Sequence, residues 1–271
     1  MSPGRGVRRR ESFDAVAELY DRARPAYPPG LVDDLIDLAG IGQGARVLEI
    51  GAGTGQLTVL LAERGVSLVA LELGPNLARV ARRKLAPFEH AEVVGADFDE
   101  WVLPAEPFDL VVAATAFHWL DPATRLRKCA DALRPGGTLA IVDTTWGIGH
   151  GADRFFAESQ LCYARWDPHH DPDFRPPTME DLPVERDDLA GSRLFAETLH
   201  RRYLCDREYD ATRYCELLGT FSNVLAFDEP VRRGFLSCIA DLIVSRFAGR
   251  IVRHDLYELW LARTLTNPEP I

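Results

Sequence analysis

Paired cysteines and long apolar runs are both missing from this sequence. Its five cysteines are scattered and include no C-x-x-C pair, which argues against a zinc site or a disulfide framework and favours reduced thiols. No stretch approaches the roughly twenty uncharged apolar residues that a membrane-spanning helix needs, and the basic N-terminus lacks the apolar segment of an export signal. These absences predict a cytoplasmic chain without a membrane partner.

Positive charge is also scarce. Lys and Arg number 31 against 41 Asp and Glu, which gives a formal net charge of −10. A nucleic-acid partner is not expected, because phosphate binding requires a basic surface. The 271 residues contain no internal repeat, and their number suits one large α/β domain with an elaboration or two small domains. A small molecule is the expected partner, and a homo-oligomer is left open.

The most informative stretch is an apolar run that ends in three glycines spaced two apart. Residues 45–50 read Ala-Arg-Val-Leu-Glu-Ile, as a strand covered on both faces would, and the residues from Gln56 onward favour a helix. Between them lie Gly51, Gly53 and Gly55, which lack a Cβ and can adopt positive φ against a ligand. The turn is therefore predicted to present backbone N–H groups to an anionic or strongly polar group.

The spacing of the glycines separates this turn from two phosphate-binding motifs. A dinucleotide fingerprint has the form G-x-G-x-x-G, whereas Gln56 stands here where its third glycine would lie. A P-loop would need a Gly-Lys-Ser/Thr sequence, which is absent from the turn. Glu49, just before the turn, would repel a pyrophosphate and would suit a ligand that carries positive charge. A nicotinamide (NAD)-dependent oxidoreductase is kept as the alternative function, although it would need the missing glycine.

Read from Glu49, the string has the form Glu-x-Gly-x-Gly-x-Gly and resembles the first motif of the class I S-adenosylmethionine-dependent methyltransferases. The resemblance implies an α/β fold with a doubly wound, Rossmann-like, seven-stranded sheet, whose cofactor-binding core is expected over residues 41–145. It also implies methyl transfer from S-adenosyl-L-methionine to a small-molecule acceptor, a metabolite or natural product, with S-adenosyl-L-homocysteine as the second product. Cofactor contacts are expected from Glu49, Gly51, Ala52, Gly53 and Gly55.

The next two strands end on residues suited to an adenosine. Residues 66–72 form the second predicted strand, and the carboxylate of Glu72 at its end can accept hydrogen bonds from both ribose hydroxyls, with Leu73 beside it. Glu72 could instead cap the following helix, which is predicted over residues 75–85. After a third strand, Asp97 and Phe98 match the adenine-binding position of the resembled family, although Asp97 could instead cap a turn.

The fourth predicted strand, residues 108–114, leads into the sequence Thr-Ala-Phe-His-Trp. Thr115 and Phe117 are expected beside the cofactor at the carboxyl ends of the strands, where open α/β sheets bind ligands. His118 and Trp119 resemble the His-Trp sequence of a small-molecule subgroup of the family and are candidate substrate contacts. His118 is the candidate general base because an imidazole titrates near neutrality, but it could only order the loop, and Trp119 could pack under the next helix.

An N-terminal string carries a second resemblance. Phe13-x6-Tyr20-Asp21-Arg22-Ala23-Arg24-Pro25-x-Tyr27-Pro28 resembles the N-terminal lid of a methyltransferase subgroup that includes trans-aconitate methyltransferase. This implies that Tyr20 and Arg24 lie over the methionine end of the cofactor, with the rigid guanidinium fork on its carboxylate. The alternatives are a packed ring for Tyr20 and a surface salt bridge for Arg24. Residues 1–40 are thus predicted to form a basic tail, residues 1–10, and a helical lid.

After the fifth strand the sequence changes character. Residues 146–195 are rich in Pro, His, Trp and Asp and are predicted to form a variable insertion that covers the active site, with Trp146 as a substrate contact. Its histidines, His150, His169 and His170, do not have a recognised metal-ligand spacing, so no metal is expected.

The remaining residues, 196–271, are predicted to complete the sheet with two strands, residues 197–208 and 255–264, and with intervening helices over residues 209–218 and 235–247. This part resembles the family only in general terms, whereas residues 13–143 resemble it specifically. A non-catalytic binding module, or a different reaction on the same cofactor, is therefore kept open beside methyl transfer.

Overall fold

The computed structural model describes residues 12–149, 154–196 and 198–265, so the predicted basic tail and His150 lie outside the described residues. The chain divides into two compact units, each assembled from separate stretches. The first, called here the loop unit because it contains the glycine turn, comprises Pro25–Thr144, Pro183–Tyr203 and the residues from Tyr257 onward. The second, called here the cavity unit, comprises the residues up to Arg24, Thr145–Leu182 and Leu204–Leu256.

Seven strands of the described residues form one sheet in the order β3-β2-β1-β4-β5-β7-β6. The strands are β1 (Arg46–Ile50), β2 (Ser67–Glu72), β3 (Ala91–Gly95), β4 (Phe108–Ala114), β5 (Leu133–Thr145), β6 (Leu199–Asp210) and β7 (Arg250–Arg263). Strand β1 pairs in parallel with β2 and β4, β2 pairs in parallel with β3, and β4 with β5. The predicted Rossmann-like, seven-stranded α/β fold is therefore confirmed.

Helices alternate with the first strands and then dominate the second half of the chain. They are α1 (Ala17–Ala23), α2 (Pro29–Ala39), α3 (Gln56–Ala62), α4 (Pro75–Leu85), α5 (Arg125–Ala132), α6 (Arg154–Trp166), α7 (Asp187–Ala190), α8 (Ala211–Leu218), α9 (Ser222–Leu225) and α10 (Glu229–Arg246). Two 3₁₀ turns cover Asp14–Val16 and Phe117–Trp119. Within the described ranges, none of the helices has both the length and the apolar character needed to cross a bilayer.

Parallel pairing brings the carboxyl ends of β1, β2 and β4 to one edge of the sheet. The register aligns Ile50 at the end of β1 with Leu71 of β2 and Ala113 of β4. The side chains of β4 are mostly buried, as expected for a strand that is covered on both faces. As a result, the glycine turn, Glu72 and Thr115 lie at the edge where open α/β sheets bind ligands.

The predicted element boundaries are most accurate where the sequence has a clear start signal. Helix α4 begins at Pro75 and ends at Leu85, as predicted, because proline is favoured in the first turn of a helix. Helix α10 begins at Glu229 rather than at the predicted residue 235, because a proline at its first turn is an earlier start signal. Strand β7 likewise begins at Arg250, before the predicted residue 255.

The cavity unit has its own apolar core between helices α6, α8, α9 and α10. Its buried members include Phe155, Leu217, Val224, Phe235 and Ile239. A disulfide bond also joins two of the helices. It links Cys162 of α6 to Cys238 of α10, 76 positions later, with the Cα atoms 5.8 Å apart.

The expectation that all five cysteines are reduced thiols is therefore wrong. Cys129, Cys205 and Cys215, which also lie in the described ranges, are free, but Cys162 and Cys238 are bonded to each other. A pair brought together by two helices far apart in the chain has no spacing signature in the sequence. The cytoplasmic location stays a prediction, and it is no longer supported by the cysteine pattern.

Candidate functional site

The glycine turn after β1 adopts a backbone conformation that other residues rarely allow. The φ angles of Gly51, Gly53 and Gly55 are +72°, +59° and +86°. A Cβ added to Gly51 would lie 2.6 Å from the Cβ of Ala116, a separation that real side chains do not tolerate. The turn is held to the next strand because the N–H groups of Gly51 and Ala52 both donate to the carbonyl of Leu71, each at 2.9 Å. Glycine is therefore required here both by backbone conformation and by space.

Glu72 is hydrogen-bonded to this turn. Its Oε2 accepts a hydrogen bond of 2.7 Å from the backbone N–H of Gly53, and its Oε1 accepts one of 2.7 Å from Gly74. The residue is 8% exposed, so the carboxylate lies at the edge of the sheet with only a small part open to solvent. Because Gly74 is the N-cap residue of α4, Glu72 connects the turn to the start of that helix. Leu73, the next residue, is 38% exposed.

Glu49 at the end of β1 is buried, with 2% of its surface exposed. Its Oε2 has no hydrogen-bond partner among the described residues. The pKa of this carboxyl is raised to about 8, chiefly by burial and to a smaller extent by the negative charge of Glu72, while the hydroxyl of Thr58 acts in the opposite direction. A carboxyl group in this state would be stabilised in its ionised form by a nearby cation.

Asp97 and Phe98 follow β3 in a tight turn. The Oδ1 of Asp97 accepts a hydrogen bond of 3.1 Å from the N–H of Asp99, and its carbonyl accepts from Glu100 and Trp101. The structure thus contains the turn that was the alternative interpretation of Asp97, and this geometry does not test the adenine-binding role. Phe98 is 2% exposed and belongs to the core of the loop unit.

Thr115, directly after β4, has a φ of +56°, which is strained for a β-branched residue. Its N–H donates to the carbonyl of Val142 at 2.7 Å. Its Oγ1 lies 3.2 Å from the hydroxyl of Tyr27 and 3.0 Å from Oγ1 of Thr144. Sequence reasoning missed Tyr27 and Thr144 as site residues, because the three hydroxyls come from distant parts of the chain. Strained backbone of this kind is often found at functional sites.

His118 and Trp119 lie in the 3₁₀ turn that follows, with ring centroids 4.6 Å apart. His118 is exposed at the surface, but the surrounding protein atoms still desolvate the imidazole and lower its pKa, and the positive charges of Arg125 and Arg186 lower it in the same direction. The imidazole is therefore neutral at pH 7. Phe117, the first residue of the turn, is 1% exposed and packs in the core.

A network of charged side chains beside Phe117 was not predicted from the sequence. The guanidinium of Arg186 pairs with Asp143 and Asp188, and Arg125 pairs with Asp188 at 2.9 Å. Both guanidinium groups lie over the Phe117 ring, Arg125 at 4.5 Å and Arg186 at 5.5 Å from its centroid. The pKa of Asp143 is raised, because the effect of burial outweighs the opposing effect of the positive charge of Arg186. Residues paired across such distances in the chain leave no local motif.

Three of the predicted site residues lie in the cavity unit. The guanidinium of Arg24 is 4.9 Å from the ring centroid of Tyr20 and 5.0 Å from that of Trp146. Arg24 also donates from Nε to Oγ1 of Thr220 and from Nη2 to its carbonyl, both at 2.8 Å. Tyr20, Arg24 and Trp146 are thus brought together with one another, and their contacts with a cofactor or substrate remain predictions.

Metal-binding clusters are absent from the described parts of the chain: no group of three His, Cys, Asp or Glu side chains there could hold an ion. His169 and His170 are described, and neither belongs to such a group.

A family profile described as a methyltransferase domain matches residues 48–141. An uncharacterized methyltransferase of Mycobacterium tuberculosis is 40% identical over 134 residues, which are 49% of this chain and 52% of that protein. The chain thus spans about half the length of that relative. An uncharacterized methyltransferase of a Geobacillus species is 30% identical over 154 residues, which are 55% of this chain and 70% of that protein.

Two solved structures share the fold. A candidate type II methyltransferase from Anaeromyxobacter dehalogenans has a TM-score of 0.61 and 23% identity, over 91% of this chain and 99% of that one. An S-adenosylmethionine-dependent methyltransferase from Thiobacillus denitrificans, in complex with S-adenosyl-L-homocysteine, has a TM-score of 0.52 and 15% identity, over 91% and 96%. The profile and the Geobacillus relative confirm the resemblance drawn from the glycine string. The chain belongs to the methyltransferase family.

Proposed function

We propose that this chain binds S-adenosyl-L-methionine and transfers its methyl group to a small-molecule acceptor. The observation that carries the proposal is the carboxylate of Glu72, which is hydrogen-bonded to Gly53 at the end of the second strand. A carboxylate in this position, beside a glycine turn, is suited to the ribose hydroxyls of an adenosine. The methyltransferase from Thiobacillus denitrificans, which shares the fold, was solved with S-adenosyl-L-homocysteine. Assignment to the subgroup that includes trans-aconitate methyltransferase is proposed from the N-terminal string alone.

The residues at the sheet edge fit this cofactor in two respects. The three glycines of the turn have the positive φ angles that a ligand-binding turn requires, and Glu49 presents a buried carboxyl whose Oε2 has no partner among the described residues. A ligand that carries a positive charge next to a neutral adenosine would fit both the glycine turn and the Glu49 carboxyl. Glu49 is assigned to the charged methionine end, Glu72 to the ribose, and Asp97 with Phe98 to the adenine. Further cofactor contacts are proposed for Tyr20, Arg24, Ala52, Gly53, Gly55, Leu73, Thr115 and Phe117.

When bound, S-adenosyl-L-methionine supplies a methyl group that its positive sulfur has already activated. The chain then has to orient the acceptor, exclude water and accept a proton where the acceptor must lose one. His118 is proposed to accept that proton, because the lowered pKa keeps its imidazole neutral at pH 7. Trp119 and Trp146 are proposed to contact the acceptor.

The alternative is an oxidoreductase that uses NAD on the same strand and turn. At position 56, where a dinucleotide fingerprint has glycine, the Gln56 side chain instead donates a hydrogen bond of 2.6 Å to Oγ1 of Thr54. A side chain at this position disfavours the close packing of helix and strand that the third glycine of a dinucleotide fingerprint allows. Methyl transfer is therefore preferred.

Calorimetric titration with S-adenosyl-L-homocysteine and, separately, with NAD tests the proposal. We expect S-adenosyl-L-homocysteine to bind and NAD to give no heat of binding. Binding of NAD alone would replace the proposal with the oxidoreductase, and binding of neither would overturn it. Transfer of a radiolabelled methyl group to a panel of small acceptors then tests catalysis, and binding without any transfer would favour a non-catalytic protein.

A further inference from the structure

The cavity unit contains a cavity of about 360 Å³ that is partly open to solvent. Aromatic side chains form much of its wall, including Trp146, Phe156, Tyr163 and Phe221. Its volume lies near the lower end of the range of about 300–1,000 Å³ that small-molecule sites occupy. The cavity is therefore suited to a compact ligand with a flat or apolar body.

A buried arginine side chain also lines this cavity. Arg253 is 7% exposed, and its Nε lies 2.8 Å from Oδ1 of Asp255, which is fully buried and accepts a hydrogen bond of 2.9 Å from the N–H of Gly147. Nη1 of Arg253 and Oδ2 of Asp255 are both buried and have no hydrogen-bond partner in the described part of the chain. Because unpaired polar groups are costly to bury, the hydrogen bonds of this ion pair are incompletely satisfied, and Arg253 is the member of the pair that lines the cavity.

The charges around the cavity favour an anion over a cation. The rings of Trp146 and Phe221 lie 6.1 Å apart, and the guanidinium of Arg253 is 5.5 Å from the first and 5.2 Å from the second. The guanidinium of Arg24 lies 5.0 Å and 4.8 Å from the same two rings. A cationic ligand would meet two guanidinium groups instead of the open aromatic faces that it needs.

The acidic residues that line the cavity are engaged in their own turns. Asp167 accepts a hydrogen bond of 2.8 Å from the N–H of His169, and Asp171 accepts one of 2.9 Å from the N–H of Asp173. Asp171 is also exposed. These carboxylates thus belong to the loop at the wall, whereas Arg253 is a buried charged residue that lines the cavity.

We propose that this cavity binds a small carboxylic acid with an aromatic or apolar body of one or two rings. The carboxylate pairs with the guanidinium of Arg253, and the body packs against Trp146 and Phe221. A carboxylate suits the guanidinium better than a neutral acceptor, because the attraction between opposite charges adds to the hydrogen bond and is stronger in a buried site than in water. That this acid is also the methyl acceptor rests on the proposed function.

The first experiment compares two ligand pairs on the unaltered protein by calorimetry. Cinnamate and 1-naphthoate are titrated against cinnamamide and 1-naphthamide, which have the same bodies without the charge. We expect each acid to bind about tenfold or more tightly than its amide. Equal binding of acid and amide, or binding of neither, would overturn the proposal.

Two variants locate the site, and a third serves as the control. Arg253→Gln with Asp255→Asn removes both buried charges together and should abolish the preference for the acid while the amide still binds. Gln160→Phe places a larger side chain at the cavity wall and should weaken the acid and the amide alike, a result that does not depend on folding of the double variant. Arg246→Gln, which removes an exposed charge from the same unit, should leave both affinities unchanged. Unchanged acid binding in folded Arg253→Gln/Asp255→Asn would contradict the assignment.

The two proposals can fail separately. Titration of the double variant with S-adenosyl-L-homocysteine should give the affinity of the unaltered protein, because none of the proposed cofactor contacts is changed. Acid binding in a protein that does not bind S-adenosyl-L-homocysteine would support the cavity site and overturn the proposed function. Acid binding without methylation of the acid would support the site and remove only its role as methyl acceptor.

Discussion

The backbone N–H of Gly53 donates a hydrogen bond of 2.7 Å to Oε2 of Glu72, 19 positions later in the chain. This bond fixes a carboxylate from the second strand on the turn that follows the first strand. If that carboxylate also binds the cofactor ribose, Glu72→Ala should weaken S-adenosyl-L-homocysteine binding by about 1–3 kcal/mol in calorimetric titration.

The matched control for this change is Glu63→Ala, which removes the same charge from an exposed position just after helix α3. The affinity of Glu63→Ala for S-adenosyl-L-homocysteine should equal that of the unaltered protein. An unchanged affinity in folded Glu72→Ala would remove the ribose assignment.

The space around Gly51 gives a second prediction. Gly51→Ala should lower the free energy of unfolding by about 1–3 kcal/mol more than Gly136→Ala, as measured by denaturant titration. Gly136 has nearly the same φ, +73°, but no atom lies within 4 Å of its hypothetical Cβ, so that variant has only the backbone strain, about 1–2 kcal/mol. Equal losses in the two variants would show that the contact with Ala116 does not restrict the turn.

The raised pKa of Glu49 predicts a pH dependence of stability. Between pH 4.5, the ordinary value, and about pH 8, the folded chain keeps a proton on this carboxyl that the unfolded chain releases. The contribution of Glu49 to the free energy of unfolding should therefore fall as pH rises through this range, and level off above pH 8. Thermal unfolding from pH 5 to pH 9 should show a smaller decline for Glu49→Gln than for the unaltered protein. Identical pH profiles would contradict the buried, protonated state.

The lowered pKa of His118 predicts the pH profile of methyl transfer, given the proposed function. A general base must be unprotonated, so the rate should fall on the acid side, at a pH below the ordinary value of 6.5. His118→Ala should lower kcat by about a hundredfold or more and abolish this acid limb. A loss of rate with the limb intact would leave His118 with a structural role in its loop.

The disulfide bond predicts a difference in stability between oxidised and reduced protein. Cys162→Ser/Cys238→Ser should lower the free energy of unfolding by about 2–4 kcal/mol, because the bond restricts the unfolded chain. Cys215→Ser, which changes a free thiol, is the control. Thiol titration in denaturant should detect the free cysteines Cys129, Cys205 and Cys215 before reduction and all five cysteines after it.

The sheet and its ligand-binding edge could be predicted because their signals are local. The apolar strand, the three glycines and Glu72 lie within 28 residues of one another, and the structure places them together. The start of helix α4 could be predicted from Pro75, because proline is favoured in the first turn of a helix. In each case a short string sets both the backbone conformation and the side chain that acts there.

The rest of the site depends on pairs that only the folded chain brings together. In three such pairs the partners are more than 30 positions apart in the chain: Arg186 with Asp143, Cys162 with Cys238, and Arg253 with the ring of Phe221. The positive φ of Thr115 is likewise imposed by its surroundings, since a β-branched residue does not favour it. Such features follow from tertiary packing and leave no periodicity or motif in the sequence.

The three separate stretches of the cavity unit have a consequence for protein synthesis. Trp146 is made well before Phe221 and Arg253, which belong to the last of these stretches. The wall of the cavity cannot close until residue 253 has left the ribosome, whereas strands β1, β2 and β4 and the glycine turn emerge in the first half of translation. A nascent chain can therefore complete its glycine turn while the corner that contains Arg253 has not yet been synthesised.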